Sequence, residues 1–338
     1  MLNYEREGYV DVFPVRRMRR YRRRIVQELF TETCVHLSDL VVPLFVDEGI
    51  DRPLPIDSMP GQVRHPVRDL PAVAARLIDL ELPSVLLFGI PKAKDPEGAS
   101  AFAQDGVIQQ SVKAMKEALP DLVVCTDVCA CEYTDHGHCG IIGEKAGGQD
   151  LLNDASLELM NRIAVSHAEA GADVVAPSCM LDGMVASIRN ALDESGFEDV
   201  LIMSYSSKFA SGFYGPFREA ADSGYSFGDR TTYQLNPSNA REAILESTLD
   251  AEEGADILMV KPAGYYLDIL AALRDLGLPL AAFQVSGEYA MIRAAAERGW
   301  IDERIAVMES LTCIKRAGAD LIVTYFAEEA AGWAREEQ

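Results

Sequence analysis

Apolar positions along the chain fall into short runs separated by amphipathic stretches. Eight runs stand out: Val41–Val46, Val85–Phe88, Val123–Thr126, Val174–Ala176, Leu201–Tyr205, Ile257–Val260, Leu280–Val285 and Leu321–Thr324. They are nearly continuous rather than alternating, the pattern of strands buried on both faces of a parallel sheet. Between them, apolar residues at helical spacing predict helices over Asp69–Leu80, Asn153–Ala170, Asn239–Glu253, Glu288–Glu297 and Ile301–Ala317. Three helices run into the same turn, Gly-Ala-Asp, at 171–173, 254–256 and 318–320, each just before a strand. Glycine at such a place ends a helix in the left-handed conformation. Eight strand–helix units predict an α/β fold, a (β/α)8 TIM barrel, with a doubly wound open sheet as the alternative. Residues 1–35 read as an N-terminal arm that serves oligomerisation, and 36–338 as the barrel. The long connection at 205–237, rich in Gly, Ser and aromatics, reads as an active-site lid.

Composition narrows the class. Of 338 residues 49% are hydrophobic, enough for a large core. No apolar run approaches the ~20 residues of a bilayer span, and the N-terminus lacks a signal-peptide core, so no membrane and a cytoplasmic location are expected. Seven cysteines, an odd and clustered set, argue against a disulfide scaffold and for a metal site. The net charge of −22 repels polyanions, which argues against nucleic acid as a partner for the body. One stretch runs the other way: seven arginines lie between Arg16 and Arg24. They could form a nucleic-acid or membrane arm, but the acidic body favours an extension lying on a neighbouring subunit.

Barrel chemistry occurs at the C-terminal ends of the strands. There the third run leads to Asp127, Cys129 and Cys131, the fifth to Lys208, the sixth to Lys261, the seventh to Ser286 and the eighth to Tyr325. The chain has only eight lysines, and two of them follow buried strands. Two lysines close together in an apolar mouth disfavour each other's protonation, and a neutral amine can attack a ketone to form a Schiff base. One of them could instead pair with Asp127 and only hold the site together. Cys129, Cys131 and Cys139 lie within eleven residues, with His136 and His138 between them as alternative or supporting groups. Three thiolates suit zinc and leave its fourth position open for catalysis. Cys34, Cys125, Cys179 and Cys313 read as small core residues. Arg218 and Arg230, in the lid, could grip a carboxylate. Walker loops, dinucleotide fingerprints and nucleophile elbows do not occur.

Four segments in order resemble the 5-aminolevulinate dehydratase family. They are the cysteine loop 129–139, Ser204–Ser211 running into Phe213–Arg218, Gly254–Ala263 with Tyr266, and Val285–Tyr289. The resemblance implies condensation of two 5-aminolevulinate molecules to porphobilinogen with loss of two waters, in tetrapyrrole synthesis. It implies a Schiff base from Lys261 to the first substrate and from Lys208 to the second. Ser286 and Tyr325 would hold the first carboxylate, and Arg218, Arg230 and Gln234 the second. Zinc on Cys129, Cys131 and Cys139 would act as a Lewis acid, with Asp127 assisting proton transfer. Glu246 resembles a residue that holds an activating Mg2+, and a homo-octamer embraced by the arm is also implied. Phe283 stands where the family often has Tyr, and Cys179 is unusual at its place, though away from the catalytic set. A class I aldolase-type barrel and a non-enzymatic zinc module are the rival readings. Neither needs both strand-end lysines together with a three-cysteine loop.

Overall fold

A computed structural model of the chain describes residues 21–145 and 148–336. Arg16, Arg17, Arg19 and Arg20 of the basic stretch lie outside the described residues. The chain divides into two units, residues 1–34 and 35–338. In the first, Arg24–Glu28 forms one short helix with no buried side chain, and Tyr21 meets Phe30 edge to face.

The second unit is a closed barrel of eight parallel strands. They are β1 (Leu40–Asp47), β2 (Ser84–Ile90), β3 (Val123–Val128), β4 (Val174–Pro177), β5 (Leu201–Lys208), β6 (Ile257–Lys261), β7 (Leu280–Gln284) and β8 (Leu321–Thr324). Each pairs with the next, and β8 returns to β1 through Ile322 opposite Leu40 and Val323 opposite Val41. That last pairing excludes the open sheet and makes the fold a (β/α)8 TIM barrel. Among the described residues, no helix is long and apolar enough to cross a membrane.

The five expected helices form with small shifts at their ends. The one expected from Ile301 starts at Glu303, because the Asp302 carboxylate caps it by accepting from the Ile305 N–H at 2.9 Å. Further helices at Val107–Ala118, Met184–Glu194, Leu267–Leu273 and Ala327–Glu336 were not anticipated. In Val107–Ala118 the apolar stripe is broken by Gln109 and Ser111, which are nonetheless buried. The Gln109 amide nitrogen donates there to the Ala101 carbonyl and the Ser166 hydroxyl.

The Gly-Ala-Asp turns explain themselves at the lower end of the barrel. Gly171, Gly254 and Gly318 have φ of 103°, 103° and 131°, which disfavours a side chain. Each following aspartate then joins the neighbouring strand twice. Its N–H donates to that strand's carbonyl at Val124, Ile202 or Leu280. Its carboxylate accepts from the N–H of the same residue, at 2.8, 2.8 and 2.9 Å. The repeat therefore seals the strand starts of β3/β4, β5/β6 and β7/β8.

The barrel mouth as a candidate active site

At the opposite end, Lys208 and Lys261 stand side by side in the β5–β6 register, each the last residue of its strand. Regular alternation does not place them so. Tyr205 and Lys208 are three residues apart, which would send them to opposite faces of a strand. The register shifts here: Ser204 pairs with Leu258 and Ser207 with Val260, so β5 carries one extra residue. This bulge returns Tyr205 and Lys208 to the same interior. Ser204 and Ser207 face outward instead, bonded to Asp250 and Ser247 of the helix Ala240–Glu252.

Both lysines are 5% exposed. Lys261 Nζ lies in a cage of rings, 4.0 Å from the centroid of Phe283, 4.9 Å from Tyr205 and 5.1 Å from Phe217. Burial and the charge of Lys208 lower its pKa to about 7, against the pull of Asp127. Phe283, where a hydroxyl was expected to be lost, forms the nearest wall of the cage. Lys208 Nζ donates to the Ser178 carbonyl at 2.5 Å, and Ser178 Oγ donates to Asp127 Oδ2 at 3.2 Å. Burial opposes the charge on Lys208, but Cys139, Cys129 and Asp127 outweigh it and raise its pKa. The two amines thus differ, because the sulfur cluster bears on Lys208 more strongly than on Lys261. Burial pushes the Asp127 carboxyl up despite both lysines.

The loop after β3 folds back so that Cys129, Cys131 and Cys139 are all buried, with their sulfurs within 4.8 Å of one another. Cys129 and Cys131 sulfurs are 3.2 Å apart. A tetrahedral zinc with bonds of about 2.3 Å spaces its sulfurs by about 3.8 Å, within reach of a cluster this compact. Hydrogen bonds from Cys129 and Cys131 push the Cys139 thiol well below its ordinary pKa, toward the thiolate that ligates metals. The donor set therefore fits a soft divalent ion. The histidines stand apart from it. His138 Nδ1 meets the Tyr233 hydroxyl and Nε2 the Phe227 carbonyl, both at 3.1 Å, while His136 Nε2 faces the Pro96 carbonyl.

Two expectations about cysteines change. Cys34 is exposed and Cys313 only partly covered, so neither is a core residue. Cys179 is buried but sits against the metal-type cluster, where it interacts with Cys129 and Cys139. The expected separation of Cys179 from the catalytic set does not survive the folding of the β4 loop onto the β3 loop. Glu132 went unnoticed for a similar reason. It is buried beside Cys131, accepting from its thiol at 3.2 Å, and burial with the nearby Asp127 charge raises its pKa to about 7. One position along the loop from a ligand, its direction could not be read from spacing.

The lid begins after Lys208, later than expected, and carries a short helix, Gly215–Ala220. Ser286 Oγ accepts from the Phe217 N–H at 2.9 Å, which fastens this helix to the start of the helix after β7. Gly287 makes the approach feasible: a Cβ there would lie 2.5 Å from the Phe213 carbonyl oxygen. Glu288 ties the same corner to the loop after Lys261, accepting from Val285 and Gly264 N–H groups at 2.7 Å each. Asp127, Cys131, Glu132, Ser178, Lys208, Arg218, Arg230 and Lys261 thus line one cavity with Phe88, Tyr214 and Phe217. Buried polar atoms without a hydrogen-bond partner among the described residues include Tyr325 Oη, Tyr205 Oη, Arg218 Nε, Arg230 Nε and Gln234 Nε2. Arg230 also donates to the Gly137 and Ser223 carbonyls, at 2.9 Å each. Gln234 lines a second cavity instead, with Asp150, Asp182, Glu242 and Glu246. Burial and the acids around it raise Glu246 to about 7. Among the described residues, the acids around Glu246 do not converge into a three-ligand cluster.

The likeness to known proteins agrees with this geometry. The family model for delta-aminolevulinic acid dehydratase matches residues 15–333. The chain belongs to that family. The dehydratase of Archaeoglobus fulgidus is 52% identical over 320 residues, 94% of this chain and 98% of that relative. That of Escherichia coli is 51% identical over 319 residues, 94% of this chain and 97% of its own length. The crystal structure of the Toxoplasma gondii dehydratase (porphobilinogen synthase), in complex with the reaction product porphobilinogen, superposes with a TM-score of 0.93. It is 42% identical, and the alignment covers 97% of this chain and 93% of that one.

Proposed function

We propose that this member of the dehydratase family condenses two molecules of 5-aminolevulinate to porphobilinogen, releasing two waters, in tetrapyrrole synthesis. The observation that carries the reading is the pair of buried lysines sharing one cavity with Cys131, one of three converging thiols. Lys261, with a pKa near 7, presents a neutral Nζ to the ketone of the first substrate and forms the Schiff base. Its aromatic cage excludes water from the imine. Tyr325 Oη, unpartnered and buried, and Ser286 Oγ hold that substrate's carboxylate.

Lys208 forms the second Schiff base. Asp127, held by the Ser178 hydroxyl in the same cavity as Lys208, assists proton transfer there, and burial prepares its carboxyl to keep a proton. Arg218 and Arg230 take the second carboxylate through donors that are unpartnered here; Gln234, which the family resemblance adds to them, lines the second cavity in this ligand-free structure. Zinc held by Cys129, Cys131 and Cys139 supplies a Lewis acid beside the second substrate when bound. Glu246, raised by burial and the acids around it, suits a hydrated Mg2+ that activates the enzyme.

Purified protein given 5-aminolevulinate alone should yield porphobilinogen; failure to do so with zinc supplied sinks the reading. We further infer a homo-octamer in which residues 1–35 lie on a neighbouring acidic barrel. Deleting residues 1–24 should lower the oligomeric state in sedimentation without unfolding the barrel, whereas an octamer persisting after deletion removes the arm's role.

A further inference from the structure

We propose that Arg64 is a positioning residue of the reaction, a clasp that sets Phe217 and Arg218 of the lid over the two lysines. Three observations converge on it. Its short strand, Val63–His65, pairs in parallel with β1, placing Arg64 opposite Phe45 and His65 opposite Val46. From there Nη1 meets the carboxylate of Asp47, the last residue of β1, at 3.2 Å. That carboxylate is itself held by the Gly49 N–H at 2.8 Å. The other nitrogen, Nη2, reaches across to the lid and donates to the Glu219 carbonyl at 2.6 Å.

One guanidinium thus joins the rigid barrel to the last turn of the lid helix. That helix presents Phe217, 5.0 Å from Phe88 and 5.1 Å from Lys261 Nζ, and Arg218, which lines the cavity. A second and more exposed clasp lies just beyond it. Lys94 pairs with the Asp222 carboxylate at 2.9 Å and also meets the Asp222 carbonyl. The Asp222 side chain is 65% exposed, so this clasp is open to screening. Asp47 and Arg64 are far better shielded, at 9% and 20%. Arg64 carries the position, and Lys94 trims it.

The inference rests on the proposed carboxylate role of Arg218, so its test has one arm that does not. In ligand-free enzyme, Arg64→Met should speed amide exchange in residues 213–223 about tenfold or more, the loss of one charge-assisted hydrogen bond, while the barrel strands keep their protection. In turnover, the same variant should raise KM for 5-aminolevulinate about tenfold with kcat changed much less. Arg64→Lys, which keeps the charge but cannot bridge both partners, should fall between. Asp222→Asn should show a small KM effect that vanishes in molar salt. Lid exchange unchanged in Arg64→Met and Arg64→Lys overturns the clasp, whatever Arg218 does. If lid exchange rises but KM stays fixed, Arg64 only stabilises the lid and the positioning role is lost. A normal KM in Arg218→Ala would instead mark failure of the carboxylate assignment, separately from the clasp.

Discussion

At the lower end of the barrel, Asp173, Asp256 and Asp320 each accept a strand N–H and present their own N–H to the same strand. At the mouth, Asp127, Glu132 and Glu288 are buried with raised pKa values, and Tyr325, Arg218 and Arg230 keep unpartnered polar atoms. Carboxylates tie strands together at one end; at the other they are buried with raised pKa values beside polar atoms that have no partner. Unpaired buried groups cost about 1–3 kcal/mol each, so a mouth built this way lowers stability unless something binds there.

Removing an amine should break this contrast most severely. Lys261→Ala should cut turnover at least about 10³-fold and abolish the adduct that borohydride traps with substrate. Lys208→Ala should keep the Lys261 adduct, located by peptide mapping, yet make no porphobilinogen. Trapping at Lys208 alone would reverse the two roles.

Metal removal comes next. Cys131→Ala should lose the roughly one zinc per chain expected of the intact trio, measured by elemental analysis, and activity with it. Chelation of the unaltered enzyme should be reversed by zinc. Full activity in zinc-free protein would eliminate the metal from the mechanism.

A milder probe is pH. With a folded pKa of about 7, Lys261 becomes neutral as pH rises through 7, so the rate of adduct trapping should climb across that range and level off above it. Lys208→Met removes a like charge that lowers this pKa, and the midpoint should therefore move upward. A midpoint that stays put would mean burial alone sets the value. The smallest effect on catalysis belongs to the lower end. Asp256→Ala strands the Ile202 N–H and should lower unfolding stability by about 1–3 kcal/mol, read by denaturant titration, with kcat unchanged.

Much of this was legible in the chain. Strands, Gly-Ala-Asp turns, the cysteine loop and the strand-end lysines are local patterns, because burial period, turn chemistry and ligand spacing act over a few residues. They sufficed to expect a (β/α)8 barrel and to nominate the lysines and thiols that converge at its mouth. What tertiary structure alone decided depends on how separate segments meet. A bulge in β5, invisible in Leu201–Lys208 itself, turns Lys208 inward beside Lys261. Cys179 reaches the sulfur cluster because the β3 and β4 loops fold together, and Glu132 turns into the cavity beside it. Arg64 meets Glu219 across 155 positions of chain. The upward pull on the Lys208 pKa likewise follows from which neighbours the barrel gathers around it, a sum over distances that no linear spacing encodes.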